Sequence, residues 1–223
     1  MGKPEEFACR YFEDGADELY YQDIVASLYG RSNIVDLIEE TAAHIFVPLT
    51  VGGGIRTLSD IQQILRAGAD KVCLNTAAVT RPEFITEAAH SFGTQCISVA
   101  IETIRQTDGR WKAFSDNGRE HTGLDAYDWA MRAVELGAGE LLLTSVDREG
   151  TFKGFELEFI EKIARQVPVP VVAHGGAGTL EDIVEVAKLG VDGVAIAGVL
   201  HYKRLTVKDI KQHLIDNGVE VRA

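Results

Sequence analysis

The sequence predicts an α/β fold, a (β/α)8 barrel made of two (β/α)4 halves whose first strand is missing from the chain. Three observations lead there. Apolar strand-like runs alternate with helix-period segments along all 223 residues. The runs are nearly continuously apolar, as a parallel sheet buried on both faces requires. And the chain, shifted by 122 positions so that Gly15 falls on Gly137, matches itself without a gap.

Taken in order, the elements begin with a helix, KPEEFACRYFEDG. A first strand follows at 18–24, then the acidic helix VDLIEETAAH. The strand at 47–51 empties into Gly52, Gly53 and Gly54, and the next helix puts Leu58, Ile61 and Leu65 on one face. Strands at 71–74 and 96–101 flank the helix EFITEAAH. Residues 102–122 form the one long excursion. Its Asp108-Gly109 pair, with Trp111 and Phe114 after it, predicts a small hairpin inserted after a strand. The helix DAYDWAMRAVELG and strands at 140–146, 169–173 and 193–197 complete the series.

The repeat fixes the architecture. Gly15, Ala16, Glu18 and Leu19 fall on Gly137, Ala138, Glu140 and Leu141; Val47 and Pro48 fall on Val169 and Pro170. Gly53 and Gly54 fall on Gly175 and Gly176, and Thr57, Leu58, Asp60 and Ile61 on Thr179, Leu180, Asp182 and Ile183. Residues 1–223 therefore read as one TIM-type barrel domain, with halves of about 1–101 and 102–223. The counterpart of CISVAI and Glu102 would precede residue 1, so the reading leaves one strand out and two sheet edges unpaired.

Composition narrows the functional classes. A net charge of −12 argues against an extended nucleic-acid surface, which needs clustered Lys and Arg. It leaves room for phosphorylated ligands, because backbone N–H groups at helix starts hold phosphate without a basic side chain. No apolar run approaches the roughly 20 residues of a membrane helix, and the charged start has no signal-peptide core. Cys9, Cys73 and Cys96 stand apart, which fits a reducing cytoplasm and gives no disulfide or zinc pattern. No residue cluster requires a metal or organic cofactor.

In a (β/α) barrel the site lies at the C-terminal strand ends. Glycines there let backbone come close to a ligand, and two symmetry-related glycine loops predict two facing anion sites. A substrate with a phosphate at each end would fit them.

The blocks VGGGIRTLSDIQQILRAGADKVCLNTAAV, GAGELLLTSVDREGT, GGAGTLEDI and VLHY resemble the HisF family, the cyclase subunits of imidazole glycerol phosphate synthase, and the resemblance runs over residues 2–222. It implies that ammonia from a HisH-like glutaminase subunit, bound as a heterodimer, crosses the barrel. The ammonia meets a bisphosphorylated formimino-aminoimidazole carboxamide ribonucleotide, and the products are imidazole glycerol phosphate and the aminoimidazole carboxamide ribotide. Asp23 and Asn75 would line the cavity. Gly53, Gly54 and Thr76 would hold one phosphate, Gly175, Gly176, Ala197 and Gly198 the other, with Thr144 and Ser145 facing the same space. Glu18, Lys71 and Glu140 would ring the ammonia entrance, and Asp70 would meet the glutaminase.

Three departures stand out. The resemblance implies two catalytic carboxylates, the first of which would stand on the missing strand; the second, an aspartate in the family pattern VAID, is Glu102 in VAIE here. Its proton chemistry is equivalent, but one methylene moves the carboxylate, and a misplacement on the order of 1 Å can cost about a hundredfold in rate. His174 and Gly198 stand where the family commonly has serine beside the second phosphate. A neutral His174 can donate one hydrogen bond and a protonated one can pair with phosphate. These departures also suit two other readings: a HisF-like paralogue delivering ammonia for amidine formation on a surface-polysaccharide sugar, or a non-catalytic barrel that binds a partner.

Overall fold

The computed structural model describes residues 3–23 and 32–222, so Ile24 of the first expected strand lies outside the described residues. The strands are β1 (Leu19–Gln22), β2 (Leu49–Gly52), β3 (Lys71–Leu74), β4 (Ile97–Arg105), β5 (Trp111–Ser115), β6 (Glu120–Asp125), β7 (Glu140–Ser145), β8 (Val171–His174) and β9 (Gly193–Ala195). The helices are α1 (Pro4–Glu13), α2 (Ser32–Ala42), α3 (Leu58–Arg66), α4 (Thr76–Thr80), α5 (Glu83–Phe92), α6 (Ala126–Glu135), α7 (Leu157–Ala164), α8 (Leu180–Ala187), α9 (Gly198–His201) and α10 (Val207–Asp216). Seven strands run parallel in the order β1-β2-β3-β4-β7-β8-β9 and curl into a nearly closed barrel. β5 and β6 form an antiparallel extension of β4.

Alternation along the strands sorts the side chains. Val72, Ile97, Val99, Ile101, Leu141 and Leu143 face outward and pack with Phe84, Ile61 and Phe159 of the helices into the main core. Cys73, Ala100 and Leu142 face inward, with Tyr20, Val172 and Ala195 against them, and fill the lumen.

The internal repeat is visible bond by bond. α1 and α6 start and stop 122 residues apart, as do β2 and β8. Leu19 N–H donates to the Pro48 carbonyl and Leu141 N–H to that of Pro170, each at 2.9 Å. Thr57 and Asp60 form a capping box on α3, and Thr179 and Asp182 form its copy on α8. β2 and β8 begin two residues later than the sequence suggests, because Pro48 and Pro170 have no N–H to give a ladder. β4 runs on to Arg105 because its end pairs with β5, Glu102 opposite Phe114 and Arg105 opposite Trp111. The expected hairpin is present, with Gly109 at φ +83° in the turn.

Among the described residues β1 pairs only with β2, and β9 only with β8. The helical layer crosses this opening. Tyr11 Oη lies 2.7 Å from His201 Nδ1, Phe7 meets the same imidazole edge-on, and Asp14 accepts from the Val207 N–H at 2.7 Å. His201, a residue of the VLHY block with no evident chemistry, thus joins α9 to α1. Among the described residues no helix is long and apolar enough to cross a membrane.

Candidate functional site

Because the seven strands are parallel, their C-terminal ends share one end of the barrel. A cavity of about 450 Å³ opens there. Asp23 follows β1, Gly53 and Gly54 follow β2, Asn75 and Thr76 follow β3, Glu102 lies on β4, and all of them line it. Thr144, Ser145, His174, Gly175, Gly176, Ala197 and Gly198 stand at the same barrel end but do not line this cavity.

Glu102 is the buried carboxylate of the cavity wall. It is 8% exposed, and its Oε2 accepts a 2.8 Å hydrogen bond from the Gly118 N–H. Burial pushes its pKa up to about 7 against the opposing pull of that bond, and the negative charges of Glu149 and Asp116 add to the rise. A carboxyl group titrating there is populated in both forms near neutrality, the condition for moving a proton either way.

The glycine loops have a cause within the chain itself. Gly53 and Gly176 sit at φ +102° and +118°, conformations L residues avoid. A methyl on Gly53 would also fall 2.2 Å from the Asp23 carbonyl oxygen, and one on Gly176 the same distance from that of Gly154. The chain itself fills the space. At the second loop the segment 146–156, between β7 and α7, lies across the glycines: Gly154 N–H donates to the Gly176 carbonyl at 2.9 Å. The Phe152 ring of that segment comes so near Gly198 that a methyl there would meet it at 2.9 Å. Gly198 in place of serine is therefore matched to Phe152. His174 Nδ1 lies 3.2 Å from Thr144 Oγ1, and burial lowers its pKa, only partly offset by Glu149. The lowered pKa favours the neutral imidazole, the form that can donate a single hydrogen bond.

At the opposite end Lys71 Nζ sits between Glu140, at 2.6 Å, and Glu18, at 3.0 Å. Burial pulls the ammonium pKa down, but hydrogen bonds to Glu140 and Glu18 outweigh it and hold the group charged. Asp70 Oδ2 accepts from the Leu49 N–H at 2.8 Å, and Asp192 does the same for Val171 at 2.9 Å. Within the chain, Asp70 fixes the start of a strand.

Sequence reasoning missed several groups. Arg56 and Arg81 line the cavity beside Gly53 and Thr76, the Arg81 guanidinium being paired with Glu87 at 2.7 Å. Arg56 directly follows the glycine run, a signal that was present. Glu149 lies inside the quoted block LLTSVDREGT, and its charge acts on Glu102, His174 and Tyr20. Asp116 and Asn117 reach the cavity only because the β5–β6 turn folds over it, which no local pattern announces. Among the described residues no group of three or more His, Cys, Asp or Glu is placed to hold a metal.

Comparison with known proteins agrees with this architecture. A family described as histidine biosynthesis protein matches residues 1–206. The imidazole glycerol phosphate synthase subunit HisF of Prochlorococcus marinus (strain MIT 9215) is 48% identical over 224 residues, 99% of this chain and 88% of its own. The protein of the same name from Legionella pneumophila is 52% identical over 182 residues, 82% of this chain and 86% of its own. With duplicated half-barrels, paired glycine loops and a buried carboxylate at the strand ends, the chain belongs to the histidine biosynthesis protein family, as a HisF-like member.

Proposed function

We propose that this chain is the cyclase subunit of an imidazole glycerol phosphate synthase, acting with a glutaminase subunit in the cytoplasm. Ammonia released by the glutaminase enters past Glu18, Lys71 and Glu140, crosses the lumen and reaches the bisphosphorylated formimino-aminoimidazole carboxamide ribonucleotide. Gly53, Gly54 and Thr76, with Arg56 and Arg81, hold one phosphate. Gly175, Gly176, Ala197 and Gly198 hold the other, with Thr144 and Ser145 between. Glu102 takes up and returns the protons that ring closure and release of the aminoimidazole carboxamide ribotide require. That the relatives are named as subunits supports a partner, and Asp70 is proposed as one of the residues that meet it.

The observation that carries this reading is the Glu102 carboxyl, buried in the cavity and titrating at about 7. Its test is ammonia-dependent turnover of the bisphosphorylated ribonucleotide by the purified chain. Glu102→Gln should abolish turnover while leaving substrate binding within a fewfold of the parent. Undiminished turnover in that variant sinks the assignment.

A second reading, the paralogue with a sugar acceptor, draws on Phe152 crowding Gly198 at the second loop. Rescue of a histidine auxotroph separates the two: growth supports the cyclase, and failure with abundant folded protein favours the sugar acceptor.

A further inference from the structure

The β5–β6 turn is not a remote excursion from the barrel. Asp116, Asn117 and Gly118 occupy three consecutive left-handed conformations, φ +52°, +57° and +78°. That path turns the Gly118 N–H toward Glu102 Oε2 at 2.8 Å and the Asp116 N–H toward Thr76 Oγ1 at 3.1 Å. Asn75 Nδ2 donates to the Phe114 carbonyl at 3.3 Å, just before the turn. A methyl on Gly118 would fall 2.5 Å from Val146 Cγ1, so the turn is wedged between Glu102 and the segment after β7. Three groups assigned to the site, on β4 and just after β3, are thus held by one turn.

We propose that the β5–β6 turn is a positioning element of the site, its Gly118 N–H fixing the Glu102 carboxylate at the place where the proton is delivered. The extra methylene of glutamate gives this role its point, because a longer and freer side chain needs an anchor that barrel strands do not provide. The inference rests on Glu102 as the proton-transfer group. A bond donated to the ionised carboxylate favours that form, so the turn also restrains the rise in pKa that burial produces. The other groups facing Glu102 are Tyr20 from β1, Cys73 from β3, Asp116 from the turn and Glu149 from the segment after β7. Burial pushes the Tyr20 and Cys73 pKa values up, Cys73 to about 11, so both stay neutral while Glu102 titrates.

The test follows the Gly118 amide of the full chain by 15N–1H NMR as pH is varied. Its resonance should titrate near pH 7 in the parent and lose that titration in Glu102→Gln. An amide that ignores the ionisation of Glu102 overturns the proposal, and this measurement requires neither substrate nor a change at Gly118. In Gly118→Ala the turn must move. The Glu102 carboxyl, read by 13C in labelled protein, should titrate about one unit higher, and kcat should fall roughly tenfold or more with KM changing less. A folded Gly118→Ala chain with the Glu102 titration unmoved counts equally against it. Absence of cyclase activity in the parent would remove the proposed reaction and leave the NMR result standing.

Discussion

At the scale of single residues, burying the Glu102 carboxyl costs stability at neutral and alkaline pH. An unfolded glutamate titrates near 4.5, whereas the folded one titrates at about 7. The raised value means the group favours the folded state fully only below pH 4.5, and that contribution is lost as pH rises through 7. The difference corresponds to about 3 kcal/mol. Glu102→Gln, which keeps an oxygen for the Gly118 N–H, should therefore be more stable than the parent at pH 8 by up to about 3 kcal/mol. The gain should vanish below pH 4.5, as denaturant unfolding at the two pH values would report. Glu149 makes a second prediction. Removing its negative charge in Glu149→Gln should lower the Glu102 pKa, so the acidic limb of the kcat/KM profile, expected near pH 7, should move down. Glu102 itself was legible in the sequence, standing at the end of an apolar strand run within a stretch, VAIE, that resembles the HisF family. Glu149 was not singled out, because nothing local says that a loop residue after β7 projects its charge over β4.

Elements explain which sequence signals were sufficient. Helix starts were readable because a capping box is a four-residue motif that carries its own hydrogen bonds. Thr57→Ala and Thr179→Ala should each cost about 1 kcal/mol in thermal or denaturant unfolding. A much larger loss at Thr179 would mean that α8 depends on its cap in a way α3 does not. Strand ends were less readable. Val47 and Val169 read as strand residues by their apolarity, yet the proline after each withholds the N–H that a ladder needs. The hairpin was legible from Asp108-Gly109 with Trp111 and Phe114. Its destination was not: residue 118 meets residue 102 through two antiparallel registers and three left-handed residues, information spread over the whole excursion. The glycines at 53 and 176 were predicted from ligand approach, and their own neighbours independently exclude a side chain.

For the whole molecule, duplication makes paired substitutions comparable experiments. Asp70 and Asp192 each hold the first N–H of a strand, at 2.8 and 2.9 Å. Replacing either by Ala leaves a backbone donor short of its partner and should cost about 1–3 kcal/mol. The two sites share no residue, so the double variant should show their sum within about half a kcal/mol. A cost confined to Asp70 would point to a role beyond the strand start. The fold was legible because it is a repeat, and a register that holds over four successive elements is hard to mistake. The opening between β9 and β1 followed from the same repeat. How the helices span it did not, because Tyr11, Asp14, His201 and Val207 are ordinary helix-end residues whose meeting depends on closure of the ring.

That meeting bears on how the chain is made. The bonds joining α1 and the turn after it to α9 and α10 link residues 190 to 194 positions apart. α1 precedes these partners in the chain, so its Phe7–Tyr11 face waits for them until α9 and α10 have been made. α1, α9 and α10 then lock as a single cooperative unit. Native-state hydrogen exchange should show the amides of α1 and α10 opening together, at one common free energy.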